Sequence, residues 1–333
     1  MSVDRPRPAQ GAAADELLER AHRLRTELLR RGEFLPPDWS DEAARDLRSG
    51  GLSGFYLSGE AGAPGLAVFS QREGHAFAHV HIDPGDETSE RAMALLQSVL
   101  GALSPEIRRA DVGLSGLEPP AEQRLAEEAV RRFGGEALQR HSMERRMATP
   151  LADGPGPPGI PGRIAPLRGT TLDRLAELNW QSYRGSPDER LAAESLSEER
   201  RSLGEILDGR LGRVEEGASG VFQQTKDRPL GLIVVAEQAA GRYIVLDLAV
   251  DPAYRRQGIG AFLLGTSLER LRALGAELAR LWVTDGNLPA RRLYDRLGFV
   301  RAQSALIYRW SAWGPPVPAR SGDPAGSPRP GAG

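Results

Sequence analysis

The chain of 333 residues contains no cysteine and only one lysine, Lys226. The absence of cysteine excludes a disulfide scaffold, a thiolate nucleophile and a cysteine-ligated metal site. No apolar run approaches the ~20 residues that a membrane-spanning helix needs. The first residues also lack the apolar stretch of a signal peptide. The sequence therefore predicts a protein without membrane association, with the cytoplasm as its expected location.

The charges of the chain are nearly balanced, since 43 basic and 45 acidic residues give a formal net charge of −2. Proteins that bind nucleic acid usually carry an excess of basic residues, so no nucleic-acid partner is expected. The hydrophobic fraction of 40% is that of an ordinary globular protein. The length suits two domains of about 150 residues each.

One stretch has the organisation of an anion-binding loop. Residues 243–249 are apolar and β-rich, which is typical of a buried strand, and Asp251-Pro252 interrupts that strand. From Ile259 onwards, apolar residues recur every three or four positions, as in an amphipathic helix. The intervening segment 255–260 holds two arginines and two glycines. Free N–H groups at a helix N-terminus favour a phosphate ligand, and glycine lets the backbone approach it closely.

Two common phosphate-binding motifs do not match this loop. A P-loop ends in Gly-Lys-Ser/Thr, whereas Lys226 lies far from the glycines. A dinucleotide fingerprint requires glycine or alanine three residues after Gly260, where Leu263 stands. The loop therefore predicts a different phosphate-containing ligand.

The pattern Arg-x-x-Gly-x-Gly at 255–260, preceded by Leu-Ala-Val-Asp-Pro, resembles the acetyl-CoA-binding motif of the GNAT acetyltransferase superfamily. Residues 287–299 resemble that family's second signature, Asn-x-x-Ala-x-x-x-Tyr-x-x-x-Gly-Phe. The resemblance implies acetyl-CoA as acyl donor, without a metal. The residues it implies for binding the donor are Leu248, Ala249, Val250, Arg255, Arg256, Gln257, Gly258, Ile259, Gly260, Ala261, Asn287 and Tyr294.

The helix that begins near Asn287 carries the first catalytic candidate. Asn287 is expected to cap this helix, and Pro289 suits its first turn. Tyr294 falls on the inward face and on the tyrosine position of the family motif, which implies protonation of the leaving CoA thiolate. The alternative is a tyrosine that only packs in the core.

A general base is harder to identify from the sequence. Attack on a thioester needs a neutral amine, so a carboxylate or a bound water commonly removes a proton first. The positions where relatives often place a glutamate hold Ile244 and Trp282. Asp247 and Glu237 remain as candidate bases, although Asp247 could equally be a hydrogen-bonded acid within a strand.

The order of predicted elements repeats along the chain, which predicts an α/β fold of two tandem GNAT-like units, each with a mixed, mostly antiparallel sheet flanked by helices. Tandem arrangements occur in the superfamily, and the overall plan resembles that of the mycothiol synthase family. The acidic segment 85–90 replaces the glycine-containing turn in the first unit and would repel a diphosphate. The predicted organisation is a disordered segment at 1–13, a degenerate unit at 14–148, a Pro/Gly linker at 149–162, a catalytic unit at 163–313 and a disordered tail at 314–333.

The expected activity is transfer of an acetyl group from acetyl-CoA to a primary amine, by direct attack in a ternary complex. The acceptor would be a small-molecule amine or a peptide N-terminus, and the protein a monomer or homodimer. The alternative is a non-catalytic regulator that binds acyl-CoA, favoured by the lack of an evident base and opposed by Tyr294. His75, His79 and His81 share one face of a predicted strand. A metal site could use this spacing, but no cluster of acidic residues accompanies them in the same unit, so exposed or pocket-lining histidines are expected instead.

Overall fold

The structure, a computed structural model, describes residues 7–8, 19, 52–57, 65–72, 74–82, 88–115, 119–151, 156–209, 211–225 and 228–311. Several expectations lie outside these residues. They concern the segments 1–6, 83–87 and 312–333, and the middle of the predicted linker at 152–155. Among the described residues, none of the helices is both long and apolar enough to cross a membrane.

The chain divides into two compact units, whose limits differ from the predicted domain boundaries at two strands. Among the described residues, one unit takes in Arg7–Pro8, Ser53–Ala137 and residues 307–311. The other unit contains Leu138–Leu306. Residues 138–146 therefore group with the C-terminal half, although the Pro/Gly break follows them in sequence.

The first unit has strands β1 (Arg7–Pro8), β2 (Leu52–Leu57), β3 (Gly65–Arg72), β4 (His75–Ile82) and β5 (Arg109–Ser115), and helices α1 (Thr88–Gly101) and α2 (Pro119–Phe133). The strand β6 (Glu136–Arg146) starts here and continues in the second unit. Apolar residues of β3, β4 and β5 pack with α1 and α2 in one core, which includes Phe69, Leu95, Leu96 and Val112.

The second unit has, in addition to most of β6, strands β7 (Arg163–Ala165), β8 (Arg213–Val214), β9 (Gly220–Thr225), β10 (Arg228–Ala239), β11 (Arg242–Val250), β12 (Leu278–Thr284) and β13 (Val300–Ser311). Its helices are α3 (Leu172–Tyr183), α4 (Leu196–Leu207), α5 (Ile259–Ala273) and α6 (Leu288–Arg296). The strand order is β13-β6-β12-β11-β10-β9-β7, and β8 pairs with β10. Helices cover both faces of this sheet: α5 and α6 contribute to one core and α3 and α4 to the other.

Both units repeat one arrangement of strands and helices. In the first unit β3 and β4 are antiparallel, α1 follows, and β5 runs parallel to β4. In the second, β10 and β11 are antiparallel, α5 follows, and β12 runs parallel to β11. This repeat confirms the predicted mixed α/β class, with largely antiparallel pairing interrupted by one parallel pair in each unit.

Candidate active site

The site begins where two parallel strands of the second unit separate. The pairing of β11 with β12 runs only from Arg242–Leu278 to Val245–Leu281. On its other side, β11 shifts register against β10, because Val235 pairs with Val245 while Val234 pairs with Asp247. Leu246 is thus an extra residue in β11, and such a bulge bends a strand and increases its twist. Beyond Val245, the edge of β11 that faces β12 is left without that partner.

The anion-binding loop follows directly from this strand. Asp251 begins a short 3-10 turn and accepts a hydrogen bond from the N–H of Ala253 at 2.9 Å. Arg256 then has φ 65° and Gly258 has φ 85°, so the chain twice enters the left-handed region before α5 starts. Such alternation turns successive N–H groups toward one side, as in known anion-binding concavities.

The N–H groups of residues 256–261 have no hydrogen-bond acceptor among the described residues, and the first helical bond runs from Phe262 N to Gly258 O at 2.9 Å. They stand at the positive end of the α5 dipole, so an anion there would receive both hydrogen bonds and a favourable field. The residues present therefore fit the diphosphate of a CoA donor.

The two arginines of the loop have different surroundings. The guanidinium of Arg255 donates to the backbone carbonyl of Ser182, at the end of α3, and so ties the loop to that helix. Arg256 is exposed and is free to approach a phosphate. One arginine thus has a structural role in addition to its charge.

Asp247 lies on the face of the sheet covered by α3 and α4, at the point where β11 and β12 part. Its carboxylate accepts a hydrogen bond from the amide of Asn179, which also donates to Glu199 at 2.9 Å. Burial and the negative charge of Glu199 raise the pKa of Asp247 to about 7, although the hydrogen bonds from Asn179 and from the N–H of Leu248 oppose the shift. A carboxyl with a pKa near 7 can both accept and release a proton at neutral pH.

Tyr294 reaches the same region from α6. It is 8% exposed, and its ring packs against Phe299 with centroids 6.0 Å apart. Burial, together with the charges of Asp188 and Asp247, raises its pKa well above the usual range. Its hydroxyl makes no hydrogen bond with any described residue and stays protonated at every physiological pH.

Asn287 and Asp188 complete this end of the site. Asn287 caps α6 as predicted, because its side-chain oxygen accepts from Ala290 N at 3.2 Å. Its amide group donates to Asp188, whose other oxygen is buried without a partner in the described part of the chain. An unpaired buried carboxylate oxygen is unusual and is available to a ligand.

The structure does not bring Glu237 to this cluster. In the β10–β11 pairing Glu237 lies opposite Tyr243, whereas Val234 lies opposite Asp247. Val234 and Glu237 are three residues apart on β10, which corresponds to about 10 Å at ~3.3 Å per residue. Glu237 instead pairs with Arg213, which is the main reason that its pKa is lowered. It is therefore a much weaker candidate base than Asp247.

Sequence reasoning missed several residues that the fold assembles around Asp247. They are Asn179, Tyr183, Asp188 and Glu199, which come from α3, α4 and the connection between them. The charge of Asp247 is the largest cause that raises the pKa of Tyr183 well above its usual value. The one available sequence signal was Asn179, a polar residue within the apolar stripe of α3.

A row of buried polar groups continues the same face of the sheet across β12 and β6. Ser142 pairs directly with Trp282, and Thr284 lies two residues further along β12. The hydroxyls of Ser142 and Thr284 and the indole N–H of Trp282 are buried and have no partner among the described residues. Trp282 therefore offers a hydrogen-bond donor on the same face of the sheet as Asp247.

The three histidines of β4 lie in the first unit. His75 bonds Asp111 at 3.2 Å, and two arginines, Arg109 and Arg309, also bond that carboxylate. Burial and the neighbouring His81 lower the pKa of His79 to about 3. Within the described ranges, His, Cys, Asp and Glu residues form no group of three or more that could hold a metal ion.

Comparison with known proteins gives a consistent result. Residues 172–299 match the family model described as "Acetyltransferase (GNAT) family". The chain is 27% identical to a mycothiol acetyltransferase of Clavibacter michiganensis subsp. michiganensis over 271 residues, covering 76% of this chain and 78% of the relative. It is 32% identical over 81 residues to the [ribosomal protein bS18]-alanine N-acetyltransferase of Escherichia coli, covering 24% of this chain and 55% of that enzyme.

Among solved structures, the fold is similar to a GCN5-related N-acetyltransferase from Sphaerobacter thermophilus, with a TM-score of 0.62 and 18% identity. That similarity covers 93% of this chain and 97% of the other, and at this identity it shows the fold alone. The matched range 172–299 includes the open strand pair, the loop and Tyr294. Residues 172–299 therefore form an acetyltransferase domain of the GNAT family, and the chain is an acyltransferase.

Proposed function

We propose that the protein transfers the acetyl group of acetyl-CoA to a primary amine by direct attack in a ternary complex. The observation that carries this proposal is the presence of two buried titratable groups near the open end of β11: Asp247, with a pKa of about 7, and Tyr294, whose pKa is raised in part by the charge of Asp247. At neutral pH the first suits a proton acceptor, and the second stays protonated and suits a hydrogen-bond donor.

The donor would lie along the separated strands with its diphosphate on the N–H groups of 256–261. The backbone of Leu248 and Val250, at the open edge of β11, would pair with the amide groups of the pantetheine arm. Asn287 and Ala249 would border the same space. The thioester carbonyl would then lie at the end of the gap, near Tyr294.

The acceptor would approach from the face that carries Asp247. An amine in water at pH 7 is mostly an ammonium ion, and the acids Asp247, Glu199 and Asp188 attract a cation. Asp247 then takes a proton from nitrogen, and the freed lone pair attacks the thioester carbon. A C–N bond forms as the C–S bond breaks, and the sulfur leaves as a thiolate that accepts a proton or a hydrogen bond from Tyr294. The nitrogen then loses its second proton, which restores the Tyr294 hydroxyl where that has protonated the thiolate and otherwise passes to solvent and the thiolate.

The chemistry of the acceptor beyond its amine is suggested by two features. The relatives are named for acetylation of mycothiol and of a ribosomal protein alanine, so both a small molecule and a peptide N-terminus are candidates. The buried hydroxyls of Ser142 and Thr284 and the N–H of Trp282 would suit an acceptor with further hydrogen-bonding groups. Glu237 has no part in this proposal.

The test is release of free CoA thiol from acetyl-CoA in the presence of a panel of primary amines, amino sugars and alanine-terminated peptides. Thiol release that depends on the amine, and acetylation of that amine by mass spectrometry, are the expected results. Asp247→Asn should reduce turnover by about 10²-fold or more at pH 7.5. Binding of acetyl-CoA without transfer to any amine of the panel would favour the non-catalytic regulator instead.

A further inference from the structure

The Pro/Gly segment 156–162, predicted as a linker, makes direct contact with the anion-binding loop. The N–H of Gly159 donates to the carbonyl of Gln257 at 2.8 Å. The Cα of Pro158 lies 3.5 Å from the place where a Cβ on Gly258 would stand. The segment therefore lies against the loop at its two central residues, Gln257 and Gly258.

The same segment is held in place by the core beneath it. Ile160 packs against the core cluster that contains the buried face of α5. A Cβ on Gly162 would fall 2.3 Å from the Phe222 ring, so Gly162 lies directly on that ring. Phe222 in turn makes an edge contact with Phe262 of α5, with centroids 6.1 Å apart. Two anchors thus fix Gly159 relative to the helix that presents the loop.

The hydrogen bond has a consequence for the other side of the loop. In a planar trans peptide, the carbonyl of Gln257 and the N–H of Gly258 point in opposite directions. A bond from Gly159 to that carbonyl therefore holds the N–H of Gly258 pointing away from the segment. This N–H is one of the free donors of 256–261. Its peptide plane joins Gln257, which follows the left-handed Arg256, to Gly258, which is itself left-handed.

We propose that Gly159 is a positioning residue for the acyl donor: its N–H fixes the Gln257–Gly258 peptide so that the N–H of Gly258 faces the CoA diphosphate. The proposal rests on the proposed role of the loop in binding CoA. In this proposal, the segment 156–162 contributes to the affinity for the acyl donor, in addition to joining the two halves of the sequence. Without that bond, the peptide can rotate, and part of the binding free energy is spent on ordering it.

The test compares two substitutions in the full chain. Gly159→Pro removes the N–H, whereas Gly159→Ala keeps it. Gly159 does not have a positive φ, and its Cβ would meet only the Gln257 oxygen at 3.8 Å, so alanine fits. The Cδ of proline would take the place of the amide hydrogen that now lies against the Gln257 oxygen, so proline breaks the bond and also moves the segment away from that carbonyl. Titration calorimetry with CoA should show ~3–10-fold weaker binding for Gly159→Pro, the loss expected for one hydrogen bond. Gly159→Ala should stay within about twofold of wild type, and in both variants kcat should change by less than about twofold.

Equal CoA affinity of the proline and alanine variants would overturn the proposal while leaving the proposed function intact. Failure of the wild-type protein to bind CoA would instead refute the function assigned to the loop. Should Gly159→Pro fail to fold, hydrogen exchange on the wild-type protein decides the question. The Gly159 amide is expected to be protected, and exchange at the rate of an unstructured peptide would exclude the bond.

Discussion

At the scale of single residues, Asp247 shows how a site can work against stability. Its carboxyl is desolvated and lies near Glu199, whose own pKa is raised by burial. A carboxyl whose pKa is higher in the folded protein than in the unfolded chain binds more protons when folded. The free energy of unfolding therefore falls as pH rises from about 4 to about 7, and the loss persists above pH 7.

Asp247→Asn is expected to raise the melting temperature at pH 8, because the amide replaces a charge that is costly to bury. The gain should shrink as the pH falls below about 7 and approach zero near about pH 3, where the carboxyl is protonated in both states. Scanning calorimetry at the two pH values measures it. Asp285→Asn is the matched control: His141 lowers the pKa of Asp285, so this change should not stabilise the protein at pH 8. A stabilisation independent of pH would show that the charge of Asp247 is not its cause.

Tyr294→Phe keeps the ring that packs on Phe299 and removes only the hydroxyl. Because this hydroxyl has no protein partner among the described residues, the melting temperature should shift by only a few degrees. Turnover should fall at least about tenfold, with little change in acetyl-CoA affinity, as expected for loss of a general acid. Tyr308→Phe, which loses a 2.7 Å bond to the Gly134 carbonyl in the first unit, should lower stability and leave turnover unchanged. Unchanged turnover in Tyr294→Phe would support a tyrosine that only packs.

At the scale of elements, the sequence predicted what depends on local pattern. The strand before the loop, the helix after it and the Asn287 cap follow from apolar spacing and capping chemistry, and the structure has all three. The bulge at Leu246 could not be predicted, since strand register depends on neighbours distant in sequence. The cluster around Asp247 was missed for the same reason, because α3 and α4 contribute Asn179 and Glu199 through packing alone.

Gly260→Asp tests the loop as an element that binds an anion. A Cβ at this position would meet Val250 and Leu293 at 3.6 and 3.7 Å, which are ordinary contacts, so the fold should persist. The new carboxylate at the α5 N-terminus should weaken CoA binding by more than tenfold through repulsion of the diphosphate. Gly260→Asn has the same size without the charge and should bind CoA more tightly than Gly260→Asp. Similar affinities of the two variants would mean that the diphosphate lies elsewhere.

At the scale of the molecule, the Pro/Gly break predicted a linker at 149–162, whereas the two compact units meet between Ala137 and Leu138. Sequence order did not reveal which strands pair. Residues 138–146 pair with β12 over Arg140–Thr284 to Arg146–Leu278, within the second unit. Arg145 also donates to the carbonyls of Leu297 and Thr149 at 2.7 and 2.6 Å. Such pairing is a contact between distant segments, on which local patterns carry no information.

A fragment that starts after the Pro/Gly break, residues 156–311, should therefore be unstable. It lacks β6, so β12 loses its antiparallel partner, and Arg280, which is 6% exposed, loses its ion pair with Glu144. An exposed strand edge and an unpaired buried charge both favour aggregation or unfolding. A fragment of residues 136–311 keeps these contacts and should be more soluble, melt at a higher temperature and bind CoA. Equal melting temperatures and solubilities of the two fragments would contradict the role assigned to β6, and size-exclusion chromatography with calorimetry measures both.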